Sequence, residues 1–173
     1  LVVAGAGPQA SQLQARARQS DLAARVDLIG AVDKSDLPDL YRSLDVLAVP
    51  SLTTAGWVEQ FGRVAVEAMA SGSPVVVSDA GALPDVVGHG EAGVIVARGD
   101  AAALAEALDA ILDDPDHARE LGHNGIRRAA DFTAASAMET ISVTSGVSLA
   151  NIGTSRGSCS RTSAMTLPDE SGS

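Results

Sequence analysis

Two glutamates with seven residues between them frame the part of this sequence best suited to chemistry. Glu59 stands in a loop, and Glu67 lies within a segment of good helix formers that begins near Gly62. The N–H groups at a helix start lack partners within the helix, and the helix dipole makes them attract phosphate. Carboxylates repel phosphate but accept hydrogen bonds from hydroxyls. The pattern therefore predicts a nucleotide diphosphate ligand with a sugar at each end.

The residues around both glutamates resemble a known family. The blocks read Glu59-Gln60-Phe61-Gly62 and Glu67-Ala68-Met69-Ala70-Ser71-Gly72, followed by Pro74-Val75-Val76. This combination is similar to the signature of the family 4 glycosyltransferases, which have the GT-B fold. The resemblance covers about residues 1–132. It implies that the chain is the C-terminal, donor-binding domain of such an enzyme.

The resemblance implies a role for each residue near the glutamates. Glu59 is expected to be the catalytic carboxylate that positions hydroxyls of the transferred sugar, and Glu67 is expected to accept hydrogen bonds from the ribose hydroxyls. Main-chain N–H groups of Phe61, Gly62 and Arg63 are expected around the sugar and the diphosphate. The full set of expected donor-binding residues is Val32, Glu59, Gln60, Phe61, Gly62, Arg63, Val64 and Glu67.

Three of these residues also have purely structural interpretations. Val32 is expected to contact the base, but an ordinary capped turn explains its loop equally well. Arg63 fits a surface arginine as well as a ligand contact. Glu67 could be a solvated helix residue, but its neighbours are apolar, and an unpaired glutamate on a buried helix is costly. A functional role is therefore favoured for Glu67.

The reaction implied by the resemblance is glycosyl transfer from a nucleotide diphosphate sugar with retention of the anomeric configuration. No metal and no cofactor other than the sugar donor is expected. The chain begins inside a strand without an initiator Met and is interpreted as a fragment that is inactive without the N-terminal domain of its parent. The alternatives are a nucleotide-sugar epimerase of the same fold and a non-catalytic nucleotide-binding module.

The elements that would position these residues alternate between strand and helix. Strands are predicted near residues 1–4, 26–29, 46–49, 75–78 and 93–96, and helical composition runs from residue 9 to 24. This alternation predicts an α/β fold with a Rossmann-like, doubly wound parallel sheet. The family has one more strand, which would lie between strands 1–4 and 46–49. Its absence predicts either an unfilled gap or direct pairing of those two strands.

Composition divides the chain of 173 residues into two parts. Residues 1–132 are predicted to form a partial nucleotide-sugar-binding domain, and residues 133–173 a disordered tail, because 16 of those 41 residues are Ser or Thr and none is aromatic. A net charge of −10 argues against nucleic-acid partners, and no apolar run reaches membrane-spanning length. The single cysteine, Cys159, is consistent with a reducing cytoplasm.

Overall fold

The computed structural model describes residues 1–53, 59–136 and 164–165. The strands are β1 (Val2–Ala4), β2 (Asp27–Gly30), β3 (Leu47–Val49), β4 (Val75–Ser78), β5 (Val94–Val96) and β6 (Ala164–Met165). The helices are α1 (Ala10–Ala17), α2 (Leu37–Arg42), α3 (Arg63–Ala70), α4 (Leu83–Val86), α5 (Ala101–Asp113) and α6 (Pro115–Ser136), with a 3₁₀ turn at Gly88–Gly90. In these residues, no helix is both long enough and apolar enough to cross a membrane.

The strands form one sheet in the order β2-β1-β6-β3-β4-β5, and every pairing among the described residues is parallel. The five predicted strands are all present within one residue of their expected positions. The predicted α/β architecture with a parallel sheet is therefore confirmed. Because the strands are parallel, the loops that follow them all lie at the same, carboxyl edge of the sheet.

The position between β1 and β3 differs from both predicted outcomes. The two strands are neither separated by an empty gap nor paired directly, because β6 lies between them. Ala164 is in register with Val2 on one side and with Leu47 on the other. Unpaired backbone groups inside a sheet are costly, and the inserted strand gives those of β1 and β3 a partner. The prediction failed because it took the strand at this position to precede residue 1 and did not consider the C-terminal part of the chain as a source of a strand.

The segment predicted to be a disordered tail is described only in part. Helix α6 continues to Ser136, four residues beyond the expected boundary at residue 132, and β6 takes up residues 164–165. Residues 133–136 and 164–165 therefore belong to regular secondary structure. The remainder of 133–173 lies outside the described residues, so disorder there stays a prediction.

The core lies on both faces of β3 and β4. Leu47 and Val75 face a cluster formed with α2, α3 and α4, whereas Val46 and Val76 face a cluster formed with α5 and α6. Successive side chains of a strand point to opposite faces, which explains the division. All four residues of β4 are buried, as the continuous β-branched run at 75–77 predicts for a strand covered on both sides.

Helices α5 and α6 begin at side-chain caps. The carboxylate of Asp100 accepts a hydrogen bond from the Ala103 N–H at 2.9 Å, and that of Asp114 accepts one from the His117 N–H at 3.0 Å. Helix α1 is shorter than predicted, since residues 18–25 form turns that include Ala24 with φ of 60°. Helical composition alone did not reveal this break.

Close contact between α6 and the end of α3 depends on glycine. A Cβ atom at Gly122 would lie 2.5 Å from the backbone oxygen of Gly72, whereas one at Gly125 would lie 3.2 Å from the Cβ of Met69. We expect Gly122→Ala to lower the free energy of unfolding by about 1–2 kcal/mol, because the backbone clash outweighs the helix propensity gained. Urea unfolding checks this. Gly125→Ala is the matched control, and an equal effect of both substitutions would contradict the packing argument.

Candidate functional site

Hydrogen bonds from Ser78 and Arg98 hold the first residues of the loop between β3 and α3 at the carboxyl edge of the sheet. The hydroxyl of Ser78, at the end of β4, donates to the backbone oxygen of Ser51 at 2.6 Å. Further along, Arg98 donates to the Thr53 hydroxyl at 3.1 Å and, through its side chain, to Asp79 at 3.2 Å. The loop therefore leaves the sheet along a fixed path before residues 54–58, which lie outside the described part of the chain.

Glu59 and Gly62 build the start of α3 together. Gly62 is the residue before the helix and has φ of 60°, in the left-handed region that glycine adopts without strain. The Glu59 Oε1 atom accepts hydrogen bonds from the N–H groups of Gly62 at 2.9 Å and Phe61 at 3.4 Å. Its Oε2 atom lies 3.5 Å from the hydroxyl of Ser51. Glu59 is thus fixed as a cap of α3, a role that the sequence analysis did not consider.

This cap changes which amides are open to a ligand. The N–H groups of Phe61 and Gly62, both expected around the donor, are directed to Glu59 within the protein. The first helical hydrogen bond runs from the Val66 N–H to the Gly62 oxygen at 3.1 Å. The N–H groups of Arg63, Val64 and Ala65 therefore have no helical carbonyl to bond, and the positive end of the dipole lies at these groups.

Glu67 lies on the second turn of α3 and has two partners. Its Oε2 atom accepts a hydrogen bond of 3.0 Å from the hydroxyl of Tyr41, and its Oε1 atom lies 3.6 Å from Arg63 Nη2. Its side chain is 38% exposed. Burial, and then the negative charge of Glu67, raise the pKa of Tyr41, so this hydroxyl keeps its proton and donates it.

Sequence reasoning missed Tyr41. It is the single tyrosine of the chain and lies on α2. A buried tyrosine needs a hydrogen-bond partner for its hydroxyl, and that requirement is the signal that could have singled it out. Its pairing with Glu67 was not foreseeable, because nothing in the sequence shows that α2 and α3 are neighbours.

The remaining expected site residues are spread over the same region. Gln60, Phe61 and Arg63 are exposed near the start of α3, whereas the side chain of Val64 is buried in the core and leaves only its backbone for a ligand. Val32 follows β2, three strand positions from β3, which corresponds to a lateral distance of about 14 Å. The structure thus places Val32 at the same edge of the sheet as Glu59 but not beside it.

A cleft of about 540 Å³ lies elsewhere, along α6, and contains none of the expected site residues. It is lined by Glu91, Ala92, Asn124, Arg127, Arg128 and Asp131. Arg128 donates to the backbone oxygens of Asp85 and Val86, at the end of α4, and Arg127 donates to Asn124. Arg128 thus holds α6 to α4, whereas Arg127 is bonded within α6, which favours a structural role for the cleft.

The fold agrees with comparisons to known proteins. A family model described as glycosyl transferases group 1 matches residues 1–128. The chain belongs to this family. A curated relative, D-inositol 3-phosphate glycosyltransferase from Corynebacterium diphtheriae, is 40% identical over 124 residues, which cover 72% of this chain. The chain spans only 28% of the length of that relative.

Solved structures of other proteins share the fold. Sucrose-phosphate synthase from Thermosynechococcus elongatus aligns with a TM-score of 0.67 at 37% identity, over 76% of this chain and 33% of that one. Anabaena HepE in complex with UDP-glucose aligns with a TM-score of 0.64 at 29% identity, over 75% of this chain and 35% of that one. The predicted family and the predicted GT-B type of α/β fold are confirmed.

Proposed function

We propose that this chain is the donor-binding part of a retaining glycosyltransferase that takes its sugar from a nucleoside diphosphate sugar. One observation carries the proposal: Glu59, in the loop just before α3, and Glu67, on its second turn, are both held near the start of the helix, where the first amides have no helical acceptor. A ligand with hydroxyls on either side of a diphosphate matches this arrangement. A ligand of this class, UDP-glucose, is bound in the solved structure of the relative HepE.

In the proposed complex, the diphosphate binds at the start of α3. The N–H groups of Arg63 and Val64 donate to its oxygens, and the exposed guanidinium of Arg63 adds a positive charge within reach of the same helix end. When the sugar leaves the nucleotide, negative charge grows on the diphosphate. Donors already oriented toward those oxygens stabilise that charge without rearrangement.

Glu59 is proposed to hold the transferred sugar. Its Oε1 atom is engaged by the amides of Phe61 and Gly62, which fixes the plane of the carboxylate. Its Oε2 atom, with a weak contact to Ser51, retains lone pairs that accept hydrogen bonds from sugar hydroxyls. Gln60 lies beside it on the surface. A charged acceptor gives hydrogen bonds about twice as strong as neutral ones, which favours a carboxylate at this position.

Turnover belongs, in this proposal, to a longer parent protein. The chain spans 28% of the relative from Corynebacterium diphtheriae, and the acceptor site is assigned to an additional, N-terminal domain. No metal ion or cofactor takes part in the proposed reaction. Product analysis by proton NMR on the full-length parent tests retention, since the anomeric coupling constants of donor and product would then agree.

Titration of the chain with a panel of UDP- and GDP-sugars tests donor binding. We expect Glu67→Gln to weaken binding of the best ligand about tenfold, because it removes a charged acceptor for two hydroxyls. Glu106→Gln, an exposed glutamate on α5, is the matched control and should leave binding unchanged. Failure of every nucleotide sugar to bind would refute the proposal. Binding without turnover in the parent would favour a non-catalytic module, and interconversion of the nucleotide-bound sugar would favour an epimerase.

A further inference from the structure

Tyr41 occupies an unusual place relative to the proposed site. It is only 2% exposed and packs in the core between α2 and α3, yet its hydroxyl reaches the partly exposed carboxylate of Glu67 at 3.0 Å. Its backbone oxygen accepts a hydrogen bond from Ser73, which is also buried. Tyr41 is therefore held at its backbone and at its hydroxyl, with the ring packed in the core, and the hydroxyl is a fixed donor to the Oε2 atom of Glu67.

The Glu67 carboxylate has room for further hydrogen bonds on its outer side. A carboxylate offers about four lone-pair positions, of which Tyr41 uses one and Arg63 at most one more. Two positions remain, which is the number that a vicinal diol requires. Without the tyrosine hydroxyl, the flexible side chain of a glutamate at the surface would sample several rotamers, and binding would carry the entropic cost of fixing one of them.

We propose that Tyr41 is a positioning residue that orients Glu67 toward the 2′- and 3′-hydroxyls of the ribose in the nucleotide donor. This inference rests on the proposed function, since it requires a ribonucleotide at α3. The tyrosine does not touch the ligand. It acts by holding one carboxylate oxygen, so that the carboxylate presents its free lone pairs to both hydroxyls at once. Tyr41 and Glu67 together thereby discriminate ribose from a sugar that lacks these hydroxyls.

The test compares Tyr41→Phe with the wild-type chain on matched nucleotides. The probes are UDP and 2′,3′-dideoxy-UDP, together with the corresponding pair of guanosine diphosphates, titrated by calorimetry. We expect Tyr41→Phe to weaken binding of the ribonucleotide about five- to tenfold and to leave binding of the dideoxynucleotide unchanged. A merely structural role for the ring predicts an equal loss for both, and that result, or no loss at all, would overturn the inference.

A second variant separates positioning from folding. In a Glu67→Gln background, Tyr41→Phe should cause no additional loss of ribonucleotide affinity, because the charged group that it orients is gone. An undiminished loss in that background would also overturn the inference. The proposed function fails in a different way, namely when neither the uridine nor the guanosine diphosphate binds the wild-type chain. Thermal unfolding of each variant identifies any that fails to fold.

Discussion

Gly62→Ala is expected to lower the free energy of unfolding by about 2–4 kcal/mol and to weaken nucleotide binding as well. An added Cβ would lie 2.9 Å from Leu83 Cδ2 and 3.2 Å from Val86 Cγ2, and both of these side chains are buried. The backbone there has φ of 60°, which costs any other L-residue about 1–2 kcal/mol. Relief of the clash would displace the Gly62 N–H from Glu59 and disturb the start of α3.

Gly30→Ala separates the cost of the left-handed backbone from the cost of the side-chain clash. Gly30 has φ of 71°, close to that of Gly62, but an added Cβ would meet nothing within 4 Å. Chemical unfolding of this control should therefore show only the backbone cost of about 1–2 kcal/mol. If Gly62→Ala lowers the free energy of unfolding no more than Gly30→Ala does, the close approach of α4 to the start of α3 does not affect stability, which would contradict the prediction. Titration with a nucleotide sugar should show a loss of affinity for the Gly62 variant alone.

Met165→Pro is expected to lower the free energy of unfolding by about 3 kcal/mol. Met165 is in register with Ala48 of β3, and β6 has neighbours on both sides. Proline has no N–H to donate and is excluded from strands in the middle of a sheet. Urea unfolding measures the loss, and hydrogen exchange locates it, since backbone amides of β1 and β3 should become less protected.

Met165→Leu is the matched control, because it changes the side chain and keeps the backbone N–H. It should change the free energy of unfolding by less than about 1.5 kcal/mol. Equal stabilities of the proline and leucine variants, with unchanged exchange in β1 and β3, would show that residues 164–165 do not hold this position in solution.

Residues whose structure depends on their neighbours in sequence were predictable. The valines at 75–77 specify a strand buried on both faces, and the strand predicted near residues 26–29 is present as β2, because β-branched runs and their flanking turns encode these elements locally. The start of α3 at Arg63 and the position of Glu67 on its second turn also followed from local composition. The resemblance to the family then indicated the functional roles expected at these positions.

Contacts between distant segments were not predictable from the same patterns. The hydrogen bond from Tyr41 to Glu67 joins residues 26 positions apart, and no periodicity reports it. The hydrogen bonds of Ser78 to Ser51 and of Arg98 to Thr53, which fix the first residues of the loop before α3, join residues 27 and 45 positions apart. The insertion of β6 depends on which segment completes the sheet, a choice made by tertiary pairing and not by the propensity of residues 164–165.

The two-residue strand in the middle of the sheet has a kinetic consequence. The pairing of Val2 with Ala164 closes a loop of almost the whole chain, and contacts of such long sequence separation form late and slowly. Among the described strands, β1 and β3 are joined only through β6. The β1–β2 pair and the β3–β4–β5 group therefore become one continuous sheet only when the contact of longest sequence separation forms, and we expect this step to be slow.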